Sequence, residues 1–170
     1  QYMTEKEGGS DVGSLTSVAV REGAHWRIHG EKWFCSNADA EVVMLLARPE
    51  GAGPGTRGLG VFLMPRHLED GSPNRYRFVR LKDKLGTRSM ASGEVRFEGA
   101  VAYLLGEEGR GLKHMMDQVN LSRLSHGVRA AAMMRRCLNE AMAVARHRSA
   151  FGRTIIDFPL LRRQLLKIML

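Results

Sequence analysis

Residues 93–124 read GEVRFEGAVAYLLGEEGRGLKHMMDQVNLSRL, and the periodicity of the chain changes within them. Gly93 to Phe97 alternate polar and apolar, the period of a half-buried strand. Gly106, Gly109 and Gly111 then interrupt the pattern. Beyond them Leu121, Leu124, Val128, Ala131, Met134, Leu138, Met142 and Ala145 recur every three or four residues. That spacing is one apolar stripe along a helix. The break near Gly106 therefore separates a β region, residues 1–106, from a helical region, residues 107–170.

Working upstream, Leu15 to Val20, His25 to Phe34, Val42 to Arg48 (VVMLLAR), Gly60 to Met64 and Arg77 to Leu81 read as further strands. They are separated by Gly- and Pro-rich loops such as Pro49 to Gly58. Gly30 marks a tight turn or bulge. Short strands at this spacing predict an antiparallel barrel or sandwich. Working downstream, the stripe predicts a helix over about 110–149 with a stop near Gly152. A second helix is expected from about Pro159, since proline suits a first helical turn. Two helices cannot enclose a core. The expected fold class is α+β: an antiparallel barrel or sandwich followed by the first helices of an α-helical bundle whose partners come from elsewhere.

The 170 residues carry 26 Lys+Arg against 18 Asp+Glu, a net charge of +8. Residues 1–106 hold 14 basic and 13 acidic residues, and residues 107–170 hold 12 and 5. A basic half suits nucleic acid, an anionic cofactor or a solvated helix face. At 44% hydrophobic and 26% charged the chain is of globular composition, which excludes a collagen, a disordered tail and a disulfide scaffold. Cys35 and Cys137 have no CxxC partner and are expected to be two buried thiols in a reducing compartment, the cytoplasm. No apolar run approaches the roughly 20 residues that span a bilayer, and no secretory signal is recognisable. No membrane partner is expected. The chain begins at Gln1 and ends inside an apolar helical pattern, so a longer parent protein is expected.

Four segments carry chemistry. In Tyr2 to Asp11 (YMTEKEGGSD) the glycines permit close approach to a ligand, and Thr4 and Ser10 add hydroxyls. On spacing alone a plain turn serves as well. Trp33-Phe34-Cys35-Ser36-Asn37 ends a strand with two rings and a hydroxyl; a flat ring stacking there and a ring buried in the core are both open, and alternation requires one ring to be core. Lys84 to Ser92 reads as a hairpin loop entering a strand. Arg146 to Arg153 lies at a helix end, where Arg148 suits either a phosphate or the last helical carbonyls. His25 and His29 lack a third ligand, and no nucleophile elbow supports a hydrolase.

The order and spacing of these segments resemble the acyl-CoA dehydrogenase family over essentially the whole chain. Met3 to Asp11 is similar to its (L/V)TExxxGSD segment, Trp33 to Asn37 to its W-I-T-N, Lys84 to Ser92 to its K-x-G-x-R loop, and Arg148 to Gly152 to its R-x-x-F-G. Leu81 to Arg88 (LKDKLGTR) and Met133-Met134-Arg135-Arg136 resemble the adaptive-response flavoprotein branch. The resemblance implies a middle β domain leading into a helical bundle, a homotetramer, and FAD as cofactor. Met3 and Thr4 would face the flavin pyrimidine, and Gly9 and Ser10 the pyrophosphate. Phe34 would stand in for a stacking Trp, with Cys35 beside it. Ser36 would take the place of the Thr at the N5 edge, and Arg148 with Phe151 would serve the FAD of another subunit. Ser10 and Arg123 would meet the acyl-CoA substrate. The position before Arg123 holds a carboxylate base in some members and here is Ser122, so no catalytic residue is expected within this chain. In the adaptive-response branch DNA is a further expected partner, through regions outside these residues. The piece alone is expected to be inactive and to hold FAD weakly or not at all.

Overall fold

The computed structural model describes residues 1–169; Leu170, the last residue of the expected helical region, lies outside the described residues. Six strands build the β region: β1 (Val18–Glu22), β2 (His25–Ser36), β3 (Val42–Pro49), β4 (Gly60–Pro65), β5 (Tyr76–Leu81) and β6 (Ser92–Leu105). Their order is β2-β1-β3-β4-β6-β5, and β2 also pairs with β6. That extra pairing closes a ring, so the sheet is a barrel, with β5 laid along the free part of β6. All pairings are antiparallel except β1 with β3, which is parallel. Closure removes most of the open edges that a flat sheet would leave.

Alternation explains which residues fill the barrel. Trp26 and Ile28 of β2, Val43, Leu45 and Ala47 of β3, Phe62 and Met64 of β4, and Val95 and Phe97 of β6 point inward. Trp26 meets Phe62 edge-on with centroids 5.4 Å apart. Strand β6 runs eight residues past Phe97, where the sequence reading ended it. Gly99 bends the strand and the ladder to β2 shifts register there, but pairing resumes at Ala100 and reaches Leu105. Gly30 lies inside β2 rather than at a turn. A Cβ there would fall 2.6 Å from Ser17 Oγ and 2.8 Å from Ser17 Cα, so the position requires the closest possible passage of β2 over Ser17.

The helix α1 (Gly111–His147) follows. Its first turn is moored to the barrel, with Gly111 N donating to Leu59 O at 2.9 Å. A Cβ on Gly111 would meet the Gly60 carbonyl carbon at 2.4 Å. Met115, one turn on, is fully buried. Residues Gln1–Gln118 accordingly form one compact unit, and a second begins at Val119, inside the helix. In that second unit Leu121, Leu124, Val128 and Met134 of the apolar stripe are all about two-thirds exposed. Cys137, expected to be buried, is exposed on the same helix. The helix ends at His147 and passes into a hairpin of β7 (Ser149–Ala150) and β8 (Arg153–Thr154). α2 (Pro159–Met169) begins at the expected proline and buries Leu165.

Candidate functional site

The first motif is organised by Glu5. Tyr2 N donates to Met44 O at 2.8 Å and Leu46 N to Tyr2 O at 3.1 Å, which lays the segment beside β3. The chain then reverses at Lys6-Glu7, and Glu5 and Gly8 exchange backbone bonds of 3.2 Å. The Glu5 carboxylate is buried and accepts five hydrogen bonds. They come from Thr16 N (2.6 Å), Thr16 Oγ1 (2.9 Å), Ser17 N (3.1 Å), Ser17 Oγ (2.6 Å) and Lys32 Nζ (2.7 Å). Burial by itself would raise the Glu5 pKa. The Lys32 charge and the donated hydrogen bonds outweigh it and hold the carboxyl at about 2. A carboxylate so saturated is a structural post and a poor proton acceptor.

This post brings the first two motifs together. Lys32 Nζ also reaches Met3 O at 3.3 Å, and Trp33 N donates to Thr4 O at 2.8 Å. The β2–β6 ladder slips between Lys32 and Cys35, which breaks the alternation of faces. Lys32 and Cys35 are both buried, Trp33 is half-buried, and Phe34 is 56% exposed. The expectation that one of the two rings is core is thus corrected: the slip turns both outward and puts the Cys35 side chain inside. Cys35 differs from the other residues of its motif, since its thiol faces the barrel core and burial pushes its pKa up to about 12. It offers a ligand only its backbone.

The third motif joins at Ser36. Ser36 Oγ lies 3.3 Å from Ser92 Oγ, and Lys84 Nζ donates to Ser92 Oγ at 3.2 Å and to Met90 O. Gly9 packs against Thr4, such that a Cβ on it would fall 3.2 Å from Thr4 Cγ2. Ser10 is exposed in the loop that follows. Met3, Thr4, Gly9, Phe34 and Ser36 therefore gather around the end of β2.

Sequence reasoning missed the charged cluster beneath the rings. Lys82 Nζ sits 3.2 Å from the centroid of the Trp33 ring and 4.8 Å from that of Phe34. It donates to Glu94 Oε1 at 2.6 Å, and Arg80 Nε donates to the same oxygen at 2.7 Å. The hydrogen bond from Lys82, together with Arg80, keeps the Glu94 carboxyl below its usual range. No sequence signal ties Lys82 to Trp33, which is contributed by a strand almost fifty residues away.

Arg123, Arg148 and Phe151 lie in the second unit. Arg123 Nη1 donates to Asn120 Oδ1 at 3.3 Å on an exposed helix face. Arg148 is exposed, and among the described residues its guanidinium has no hydrogen-bond partner. Phe151 and Gly152 form the hairpin tip with φ of 53° and 76°. The Phe151 ring is 96% exposed and meets Phe158 edge-on at 6.1 Å. Arg123 and Arg148 are 25 positions apart, roughly 37 Å of helix axis. They cannot grip one small group together from a single chain.

The flavin implied above can be tested against these donors. An exposed phenyl ring at the end of β2, with Ser36 two positions on and Thr4 bonded through its carbonyl to Trp33, suits a planar ring system with a polar edge. The residues fit the group.

Residues 1–100 match the model of the acyl-CoA dehydrogenase middle domain, and residues 109–170 that of the acyl-CoA dehydrogenase C-terminal domain. The chain belongs to the acyl-CoA dehydrogenase family. It is 42% identical over 99% of its length to the putative acyl-CoA dehydrogenase AidB of Escherichia coli, covering 30% of that protein. It is 39% identical over 94% of its length to acyl-CoA dehydrogenase family member 11 of Caenorhabditis elegans, covering 27% of it. The crystal structure of Caenorhabditis elegans ACDH-11 in complex with C11-CoA superposes with a TM-score of 0.87 at 37% identity, covering 99% of this chain and 29% of that one. The chain spans about 30% of the length of these curated relatives. Members of the family are FAD-dependent flavoproteins.

Proposed function

We propose that these residues are the middle domain and the beginning of the C-terminal helical domain of an FAD-dependent acyl-CoA dehydrogenase, a cytoplasmic homotetramer. The supporting observation is the convergence of the three N-terminal motifs at the end of β2, the first two joined by the 2.8 Å bond from Trp33 N to Thr4 O and the third by the 3.3 Å contact of Ser36 and Ser92. The chemistry a bound FAD would supply is that of a hydride acceptor for the β-carbon of an acyl-CoA thioester. The residues of this chain bind and orient. Met3, Thr4, Phe34 and Ser36 present two hydroxyls and one ring to the flavin. Gly9 and Ser10 face its pyrophosphate, and Ser10 and Arg123 meet the acyl-CoA. Arg148, its guanidinium uncommitted, is a bidentate partner for the pyrophosphate of an FAD held by another subunit, with Phe151 packed beside it. Removal of an α-proton needs a carboxylate of ordinary basicity. Ser122 is not one, and Glu5 is saturated with donors, so neither serves as the base.

The test is anaerobic titration of the full-length flavoprotein with acyl-CoA thioesters of several chain lengths. Bleaching of the oxidised flavin band is expected with at least one of them; no bleaching with any thioester refutes the proposal.

A second reading is a protein of the AidB kind that protects DNA or sequesters acyl-CoA with little turnover. The 42% identity to AidB favours it. A duplex-DNA shift that weakens with salt is its expected signature. No shift at low salt excludes its DNA-binding form.

A further inference from the structure

The exposure of Phe34 needs a physical cause, because a phenyl ring that is 56% exposed loses hydrophobic stabilisation. The register slip in β2 turns the ring outward, and what holds it there lies on the next strands. Lys82 is held at the end of β5 with only 11% of its side chain exposed, and its ammonium is anchored 2.6 Å from Glu94 of β6. From there it lies 3.2 Å from the Trp33 centroid and 4.8 Å from the Phe34 centroid. The two rings meet at 81° with centroids 6.2 Å apart, so they form a corner with the cation inside it. Arg80 adds a second cation at 5.7 Å from Trp33. Attraction between a cation and the electron-rich ring faces fixes both rings relative to the barrel. Glu94 balances the charge and keeps Lys82 from turning away into water.

We propose that Lys82 is a positioning residue for the flavin site: through Glu94 below and the Trp33–Phe34 corner above, it locks Phe34 in the outward orientation that meets the flavin ring. This rests on the assignment of Phe34 to the flavin made above. Lys82 itself touches neither flavin nor substrate. Its action runs through Phe34, and that is what separates it from a lysine whose only role is the Glu94 ion pair.

The experiment uses the full-length flavoprotein in four forms: wild type, Lys82→Met, Phe34→Leu and the double variant. Flavin dissociation constants and the visible circular dichroism of the bound flavin are read together. A cation–ring contact between the exposed and fully desolvated limits is worth enough to change affinity about fivefold to tenfold. Lys82→Met is expected to weaken flavin binding by that factor in the wild-type background and to alter the flavin dichroism. In the Phe34→Leu background the same change is expected to have less than a twofold effect. Lys82→Arg, which keeps a cation over the rings, is expected to restore much of the loss. Equal weakening in both backgrounds, or an unchanged flavin spectrum in Lys82→Met, overturns the proposal and leaves the flavin assignment standing. A wild-type protein that binds no flavin ends the assignment and the proposal together. Where Lys82→Met fails to fold, Glu94→Gln replaces it, since it loosens the anchor and keeps the lysine.

Discussion

Lys32 and Glu5 form an ion pair of 2.7 Å in which the lysine side chain is completely shielded and the glutamate is 4% exposed. The pair links the N-terminal segment to β2, and the backbone on either side of it carries Thr4 and Trp33. It is therefore the joint on which the candidate site is built.

Breaking one partner leaves a buried charge without compensation, at a cost of about 3–5 kcal/mol. Lys32→Met and Glu5→Gln are each expected to lower the unfolding free energy of the full-length protein by that amount, as read from urea denaturation. The double substitution is expected to recover part of the loss, because no isolated charge remains. Additive losses would contradict the pairing.

The same carboxylate makes stability depend on acid. Its folded pKa of about 2 lies below the ordinary 4.5. A depressed carboxylate stabilises above its unfolded pKa, and that stabilisation falls away as the pH drops from about 4.5 toward 2. The size is on the order of 3 kcal/mol. Glu5→Gln is expected to flatten this part of the stability–pH curve, as followed by denaturation at pH 6, 4 and 3.

Gly30 tests the close crossing over Ser17. Gly30→Ala forces a Cβ onto Ser17 at a φ of 132°, and Ser17 is one of the Glu5 donors. A loss of about 2–4 kcal/mol is expected from clash and strain. Gly23→Ala, also at positive φ but with open space around it, is expected to cost only about 1 kcal/mol. Thermal denaturation of the two variants side by side measures the difference.

Asn74 is buried, donates to Pro65 O at 2.7 Å and Val101 O at 2.9 Å, and accepts from Val101 N at 2.8 Å. Asn74→Ala strands these groups and is expected to cost about 3 kcal/mol. Hydrogen exchange of the Val101 amide is expected to speed up more than that of the Leu46 amide, which bonds Tyr2 O.

Cys35 is expected to resist alkylation in the native protein and to react only on unfolding, since its thiol is buried and its pKa is raised to about 12. Peptide mapping after timed iodoacetamide treatment reads this directly. Fast native labelling at Cys35 would place it outside the core.

Most of the elements were legible because strands and helices announce themselves by period. Val42 to Arg48 and Gly60 to Met64 are found within a residue of where their apolar runs put them. What was not legible depends on partners distant in sequence. Gly99 looks like the end of a strand, and only the ladder to β2 shows that β6 continues through it. The outward pair Trp33 and Phe34 follows from a register slip against β6, which the local sequence does not encode. Lys82 and Glu94 are invisible as a site for the same reason. The first three motifs could be recognised singly; the Glu5 hub that binds the first two to each other could not.

The mooring of α1 at Gly111 has a practical reading for anyone who wants the barrel by itself. A cut at the change of periodicity near Gly106 would strip away Gly111 and Met115 and leave Leu59 O and the Gly60 crossing bare. A cut after Gln118 keeps both. The first two turns of the helix act as a stopper for the barrel end, and a soluble excised barrel should carry them.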